Sequence, residues 1–203
     1  MDPIPLEKGN YRGTYKLIGG EISLDLVNTV SWPGRAREHE WLDSPGNLTA
    51  WASATGLLDA RTKALLETRP RAVSLKELRR VRAIRADLSR VIVPLATGGR
   101  PAKGAIERLN ALLQESFAAR RIDPHTGNWT WERPTTLVEI LRPAIWNAAH
   151  VLTELDRSRI RRCPSCDWVF YDTTRNGSRR WCDMEDCGSR HKALRYYHRT
   201  RRR

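Results

Sequence analysis

The sequence lacks the long apolar runs and the catalytic motifs that define many common classes of protein. None of its apolar stretches approaches the roughly 18 consecutive residues that a membrane-spanning helix requires. The first residues, MDPIPLEKGN, have neither the basic start nor the apolar run of a secretory signal. The GxSxG, HExxH, GxGxxG and P-loop motifs do not occur either. We therefore expect a cytoplasmic protein that has no membrane partner and is not an enzyme.

Cysteine is scarce, and all four cysteines lie near the C-terminus, where basic residues are also concentrated. The chain has 36 Lys and Arg residues against 23 Asp and Glu residues, which gives a formal net charge of +13. Residues 159–203 alone carry 13 basic and 5 acidic residues, a net charge of +8 in 45 positions. Because such an excess of positive charge attracts polyanions, this segment predicts a nucleic-acid partner.

The remaining composition is that of a folded protein with two parts of unequal size. Hydrophobic residues make up 40% of the 203 positions and charged residues 29%, so the chain can build a core. A chain of this length is long for one domain and short for two. We expect a helical domain over residues 1–158 and a small basic module over residues 159–203. The predicted fold class is mainly α with a small β-hairpin.

Apolar residues in the larger part recur every three or four positions, which is the spacing of amphipathic helices. Ser74–Glu77 has the sequence of a capping box, so the longest helix is expected to begin there and to bend at Pro94. Further helices are expected over residues 106–117 and 136–156, and Pro143 is expected to kink the second of these.

Two shorter stretches have weaker patterns. Residues 22–30 alternate like a strand but also fit one face of a helix, and a helix that starts after Gly19-Gly20 is favoured. Residues 122–131 predict a small hairpin.

The larger part offers one candidate position for a bound effector of unknown identity. If residues 22–30 are helical, Asp25 and Asn28 lie one turn apart on the same face. They are candidates for a polar pair beside a ligand pocket. A capping or turn role is the alternative, because short polar side chains also serve these purposes.

The four cysteines form one pattern, C-x2-C-x15-C-x4-C, and they are Cys163, Cys166, Cys182 and Cys187. Two close pairs separated by a short insert suit tetrahedral coordination of one zinc ion. Because no exchangeable ligand position is evident, the site is expected to be closed and structural. The alternatives are two disulfides and a redox-active CxxC pair. The first is disfavoured by the missing secretory signal, and the second leaves Cys182 and Cys187 unexplained.

The sequence around the cysteines predicts a knuckle, a hairpin and a helix. Trp168–Tyr171 is β-prone, and Asn176-Gly177 is a strong turn signal. Residues 188–197 have the composition of a helix that follows the last cysteine. This order is that of a treble-clef zinc module.

The zinc module carries more arginine than a zinc-thiolate site needs for charge balance. Guanidinium groups bind phosphate well because they present paired donors in a planar fork. The candidate nucleic-acid-binding residues are Arg175, Arg179, Arg180, Arg190, Lys192, Arg195 and Arg199.

The cysteine module resembles the CGNR zinc-finger family. The resemblance is carried by Cys163–Cys166, Phe170–Asp172, Asn176–Cys182 and Cys187–Lys192. The family is named for a Cys-Gly-Asn-Arg tetrapeptide, whose third position is Ser189 in this chain.

The upstream part resembles the ABATE domain, which precedes the CGNR finger in bacterial proteins. The resemblance rests on Gly19-Gly20, on the run Leu24–Val30 and on Leu48–Leu58. Together the two resemblances cover nearly the whole chain.

The two resemblances imply a stress-responsive transcription regulator whose finger binds duplex DNA, and the basic charge agrees with this. An RNA-binding protein and a zinc-shaped module that binds an acidic protein are the alternatives. The sequence is compatible with a homodimer and identifies neither the operator nor the effector.

Overall fold

The computed structural model describes residues 3–8 and 14–201, and it is mainly helical over this part of the chain. Its seven α-helices are α1 Ile22–Val27, α2 Pro45–Ala54, α3 Ala60–Glu67, α4 Arg71–Leu95, α5 Lys103–Phe117, α6 Arg142–Thr153 and α7 Ser189–Thr200. Its strands are β1 Val30–Ser31, β2 His39–Glu40, β3 Arg120–Ile122, β4 Trp129–Trp131, β5 Ile160–Arg162 and β6 Val169–Tyr171. They pair in order as three antiparallel hairpins. The prediction of a mainly α protein is confirmed.

The long helix α4 forms the centre of the helical part and packs against α1, α2, α5 and α6. The apolar spacing predicted this helix correctly. Its buried apolar side chains are Leu78, Val81, Ile84, Leu88, Val91, Ile92 and Leu95. Pro94 stands in the last turn, where the helix ends in any case, so no bend within the helix is needed to accommodate it.

The capping box predicted at Ser74–Glu77 is wrong, because α4 already begins at Arg71. Ser74 lies inside the helix, where its N–H donates to the carbonyl of Pro70 at 3.1 Å. The carboxylate of Glu77 has other partners: it lies 2.7 Å from the guanidinium of Arg69 and accepts from the N–H of Leu137 at 2.9 Å. Partners outside the Ser74–Glu77 segment therefore override the local capping pattern.

The predicted hairpin and the helix after it are present, with one correction. Strands β3 and β4 pair antiparallel, with Arg120 opposite Trp131. Helix α6 starts at Arg142, after a 3-10 turn at Glu139–Leu141. Pro143 therefore lies in the first turn of α6, where no intrahelical N–H bond is lost, and it does not kink the helix.

The C-terminal module packs on the helical part rather than standing apart from it. Helix α1 contacts β6, and α4 contacts β5. One continuous cluster of buried apolar side chains includes Leu24 of α1 and Val169 and Phe170 of β6. Within the described residues, no helix combines the length and the apolar composition that crossing a membrane requires.

Candidate metal centre and nucleic-acid interface

The first cysteine pair lies in the turn of the hairpin formed by β5 and β6. Cys163 and Cys166 occupy this turn, and Asp167 completes it with a φ of 67°. The N–H of Cys163 donates to the carbonyl of Trp168 at 2.8 Å, and the N–H of Asp167 donates back to Cys163 at 3.0 Å. These bonds curl both sulfurs toward one side and form the expected knuckle.

The turn predicted at Asn176-Gly177 is present, but no returning strand follows it. The Asp172 carboxylate holds this loop, because it accepts from the N–H of Thr174 at 2.9 Å and from the N–H of Arg179 at 2.8 Å. The hairpin of the module is therefore formed by β5 and β6 around the first cysteine pair, and β5 is the partner strand that the sequence analysis did not identify.

The second cysteine pair is brought together by a single π-helical turn, Met184–Gly188. Asp183 caps this turn by accepting from the N–H of Glu185 at 2.7 Å. Cys182 precedes the turn and Cys187 lies within it, directly before α7.

The four sulfurs form one compact cluster. All lie within 4.8 Å of one another and all four residues are buried. The Cys166 and Cys182 sulfurs are 3.4 Å apart, and those of Cys182 and Cys187 are 3.6 Å apart. Sulfurs at Zn–S distances of about 2.3 Å in a tetrahedron have similar spacing, whereas a disulfide needs about 2.05 Å. The cluster therefore fits one structural zinc ion, with four thiolates as its ligands.

Helix α7 leaves this centre and is exposed along most of its length, since none of its side chains is fully buried. Two tryptophans border its first turn. Arg190 places its guanidinium carbon 5.9 Å from the ring of Trp32, and the ring of His191 lies 4.6 Å from that of Trp181. One residue from the helical part and one from the zinc module thus lie beside the first turn of α7.

Six of the seven predicted nucleic-acid-binding residues are exposed, and they are Arg175, Arg180, Arg190, Lys192, Arg195 and Arg199. The structure does not place Arg179 with them. Its Nε donates to the carbonyl of Trp181 at 3.1 Å, its Nη2 donates to the carbonyl of Cys182, and its guanidinium covers Phe170 at 4.4 Å. Arg179 therefore braces the metal centre from within the module.

Asp25 lies within α1, and Asn28 directly follows its last residue. Their side chains do not form a pair, because each has its own hydrogen-bond partners. The Asn28 amide donates to the carbonyl of Val169 at 2.8 Å and accepts from the N–H of Val169 at 2.8 Å. Asn28 thus fastens α1 to β6. The Asp25 carboxylate accepts from the N–H of Gly19 at 2.8 Å and lines an open cavity of about 650 Å³ that also touches Arg179.

Two features beside the zinc centre had no signal in the sequence. The loop between β1 and β2 lies against the knuckle through Trp32, Arg35 and Arg37. Lys16 places its ammonium nitrogen 2.8 Å from Asp183 and 3.0 Å from Asp186, beside the π turn. Both contacts join segments more than 120 residues apart, so spacing along the chain could not have revealed them.

The fold and the site define a helical protein with a C-terminal four-cysteine zinc module that ends in an exposed basic helix. Comparison with family models agrees with this class. Residues 20–155 match the ABATE family, described as "Putative stress-induced transcription regulator", and residues 159–200 match the CGNR zinc finger. The chain therefore belongs to the ABATE family and carries a CGNR zinc finger, as the sequence resemblance predicted. No curated protein matches the chain.

Proposed function

We propose that this protein is a transcription regulator, not an enzyme, and that it binds duplex DNA through the zinc module and α7. The observation that carries the proposal is an exposed basic helix fixed at one end to a metal centre. Arg190, Lys192, Arg195 and Arg199 lie along its exposed surface. An α-helix fits the major groove of duplex DNA, where flanking arginines reach the phosphates.

The zinc ion has a structural role in this proposal. All four ligand positions are cysteines, so no position is left for a substrate or an activated water. Zinc-bound thiolates also suit a reducing compartment, and we place the protein in the cytoplasm. The helical domain receives the signal in this scheme, through an effector that remains to be identified.

Selection from random duplex DNA tests the proposed function. The zinc-loaded protein is used at roughly physiological salt, where non-specific binding has a Kd of about 10⁻⁴–10⁻⁶ M. We expect an enriched sequence, and a two-fold symmetric one would report binding as a dimer. A variant with Arg195 and Arg199 both changed to Ala should enrich no sequence.

Structured RNA and an acidic protein are the competing partners, and the same preparation distinguishes them. If six to eight phosphates are bound, affinity should fall by orders of magnitude between about 50 and 200 mM salt. Binding that does not respond to salt would contradict a nucleic-acid partner. If binding is salt-sensitive and structured RNA is a better competitor than duplex DNA, the protein is an RNA-binding protein instead.

A further inference from the structure

We propose that the loop between β1 and β2 is part of the DNA-binding surface and that Arg37 binds a backbone phosphate beside Arg190. This loop, residues 32–38, is called the Trp32 loop below. The inference rests on the proposed function and extends it, because it assigns DNA contact to the helical domain as well as to the finger.

The Trp32 loop is fixed to the zinc knuckle by hydrogen bonds and an ion pair. The backbone N–H of Trp32 donates to the carbonyl of Cys166 at 3.1 Å, and its indole Nε1 donates to the carbonyl of Ser165 at 2.8 Å. A guanidinium nitrogen of Arg35 lies 2.7 and 2.9 Å from the two carboxylate oxygens of Asp167. The loop therefore keeps a defined position relative to the metal centre.

Arg37 lies in the same loop, and its side chain is exposed. Its guanidinium carbon lies 4.5 Å from the ring of Trp32, and one N–H donates to the carbonyl of Ser165 at 3.2 Å. Neither Arg37 nor Arg190 forms an ion pair with any carboxylate of the described residues. The nearby Glu38 carboxylate accepts from the backbone N–H of Gly34 at 2.6 Å. Most guanidinium donors of Arg37 thus remain available to a ligand.

The pairing of Arg37 with Arg190 points to phosphate as that ligand. Both guanidiniums lie within 6 Å of the same indole ring, one from the loop and one from the first turn of α7. The two cations belong to one surface and are not ion-paired with each other's neighbours, so a phosphate bound beside both would offset their mutual repulsion. Phosphate contacts fix the register and angle of a helix on duplex DNA and carry no sequence information. Arg37 is therefore expected to position α7, and the bases are read elsewhere.

The test compares Arg37→Gln with Arg37→Lys and with Arg100→Ala in the full-length, zinc-loaded protein. Glutamine removes the charge and keeps a donor for Ser165, while lysine keeps the charge. Arg100 is an exposed arginine between α4 and α5 and serves as the matched control. Binding to a short duplex is measured from about 50 to 200 mM salt, on the selected sequence and on an unrelated one. Zinc content and thermal unfolding of each variant confirm that it is folded.

We expect Arg37→Gln to weaken binding to both sequences by the same factor. The slope of log K against log salt should become shallower by about 0.9, which is the effect of losing one phosphate contact. Arg37→Lys should restore most of that slope, and Arg100→Ala should match the wild type.

The outcomes separate this inference from the proposed function. A wild type that binds duplex DNA in a salt-dependent way, together with an unchanged slope for Arg37→Gln, overturns the inference alone. Loss confined to one sequence also overturns it, because it would make Arg37 a base-reading residue. A wild type that does not bind duplex DNA, or that prefers RNA, overturns both.

Discussion

At the scale of single residues, Asp25 is a carboxyl group buried among backbone donors. Gly19 allows this arrangement, since a Cβ there would lie 2.8 Å from the Cβ of Leu24 and 2.9 Å from the N–H nitrogen of Asp25. The hydroxyl of Tyr15 also donates to the backbone carbonyl of Asp25 at 2.6 Å. A residue that the sequence suggested for ligand binding thus serves first to hold the start of α1.

Asp25→Asn is expected to remove a pH dependence of stability. Burial raises the pKa of the Asp25 carboxyl from 3.8 to about 6, although the N–H of Gly19 donates to it. The folded protein therefore binds this proton more tightly than the unfolded chain, and Asp25 lowers the free energy of unfolding as pH rises from about 4 to about 6. Across this window the wild type should lose about 1–3 kcal/mol relative to the variant.

Chemical unfolding of both proteins between pH 4 and pH 8 measures this difference. Asp123→Asn is the matched control. Backbone hydrogen bonds from Thr126 and His125 hold the pKa of the exposed Asp123 carboxyl below its usual value, so its contribution changes with the opposite sign. A constant gap between wild type and Asp25→Asn at all pH values would show that Asp25 does not titrate in this range.

At the scale of secondary-structure elements, one side chain supplies a pair of hydrogen bonds to the contact between α1 and β6. Asn28 satisfies both the N–H and the carbonyl of Val169, which is fully buried. Its amide takes the place of a neighbouring strand. The pair joins residues 141 positions apart in the sequence.

Asn28→Ala is expected to lower the free energy of unfolding by about 2–4 kcal/mol, because two buried backbone groups lose their partners. Asn110→Ala, an exposed change on α5, should have little effect. Equilibrium unfolding in urea measures both. Equal stabilities for the two variants would mean that water replaces the amide at β6.

The elements that could be predicted from sequence are those whose cause is local. The four zinc ligands follow from cysteine spacing, and α4 follows from its apolar repeat. The capping box at Ser74 failed because Glu77 has Arg69 and Leu137 as partners. The structural role of Arg179 and the position of the Trp32 loop depend on contacts across the fold, so no pattern along the chain could indicate them.

At the scale of the whole molecule, the zinc ion stabilises a module that has few apolar side chains of its own. In zinc-finger peptides, zinc binding at such sites contributes about 10–16 kcal/mol of apparent folding free energy. We expect a strong chelator to unfold residues 160–200 while the helices α2 to α6 keep their circular dichroism. Cys166→Ser should produce the same state without chelator.

Hydrogen exchange with and without chelator locates the change. Fast exchange should be confined to the module and to α1, which loses its contact with β6. Loss of the entire helical signal in one step would contradict separate domains and would make the shared apolar cluster a single folding unit.

The two tryptophans beside the first turn of α7 have a consequence for how this finger can be transferred between proteins. Trp181 travels with the zinc module, but Trp32 belongs to a segment more than 120 residues upstream. A finger grafted onto another protein would bring its metal and its arginines but would lose the contact between Arg190 and Trp32. Chimeras that exchange fingers among ABATE proteins should therefore work best when residues 30–40 are exchanged together with the cysteines.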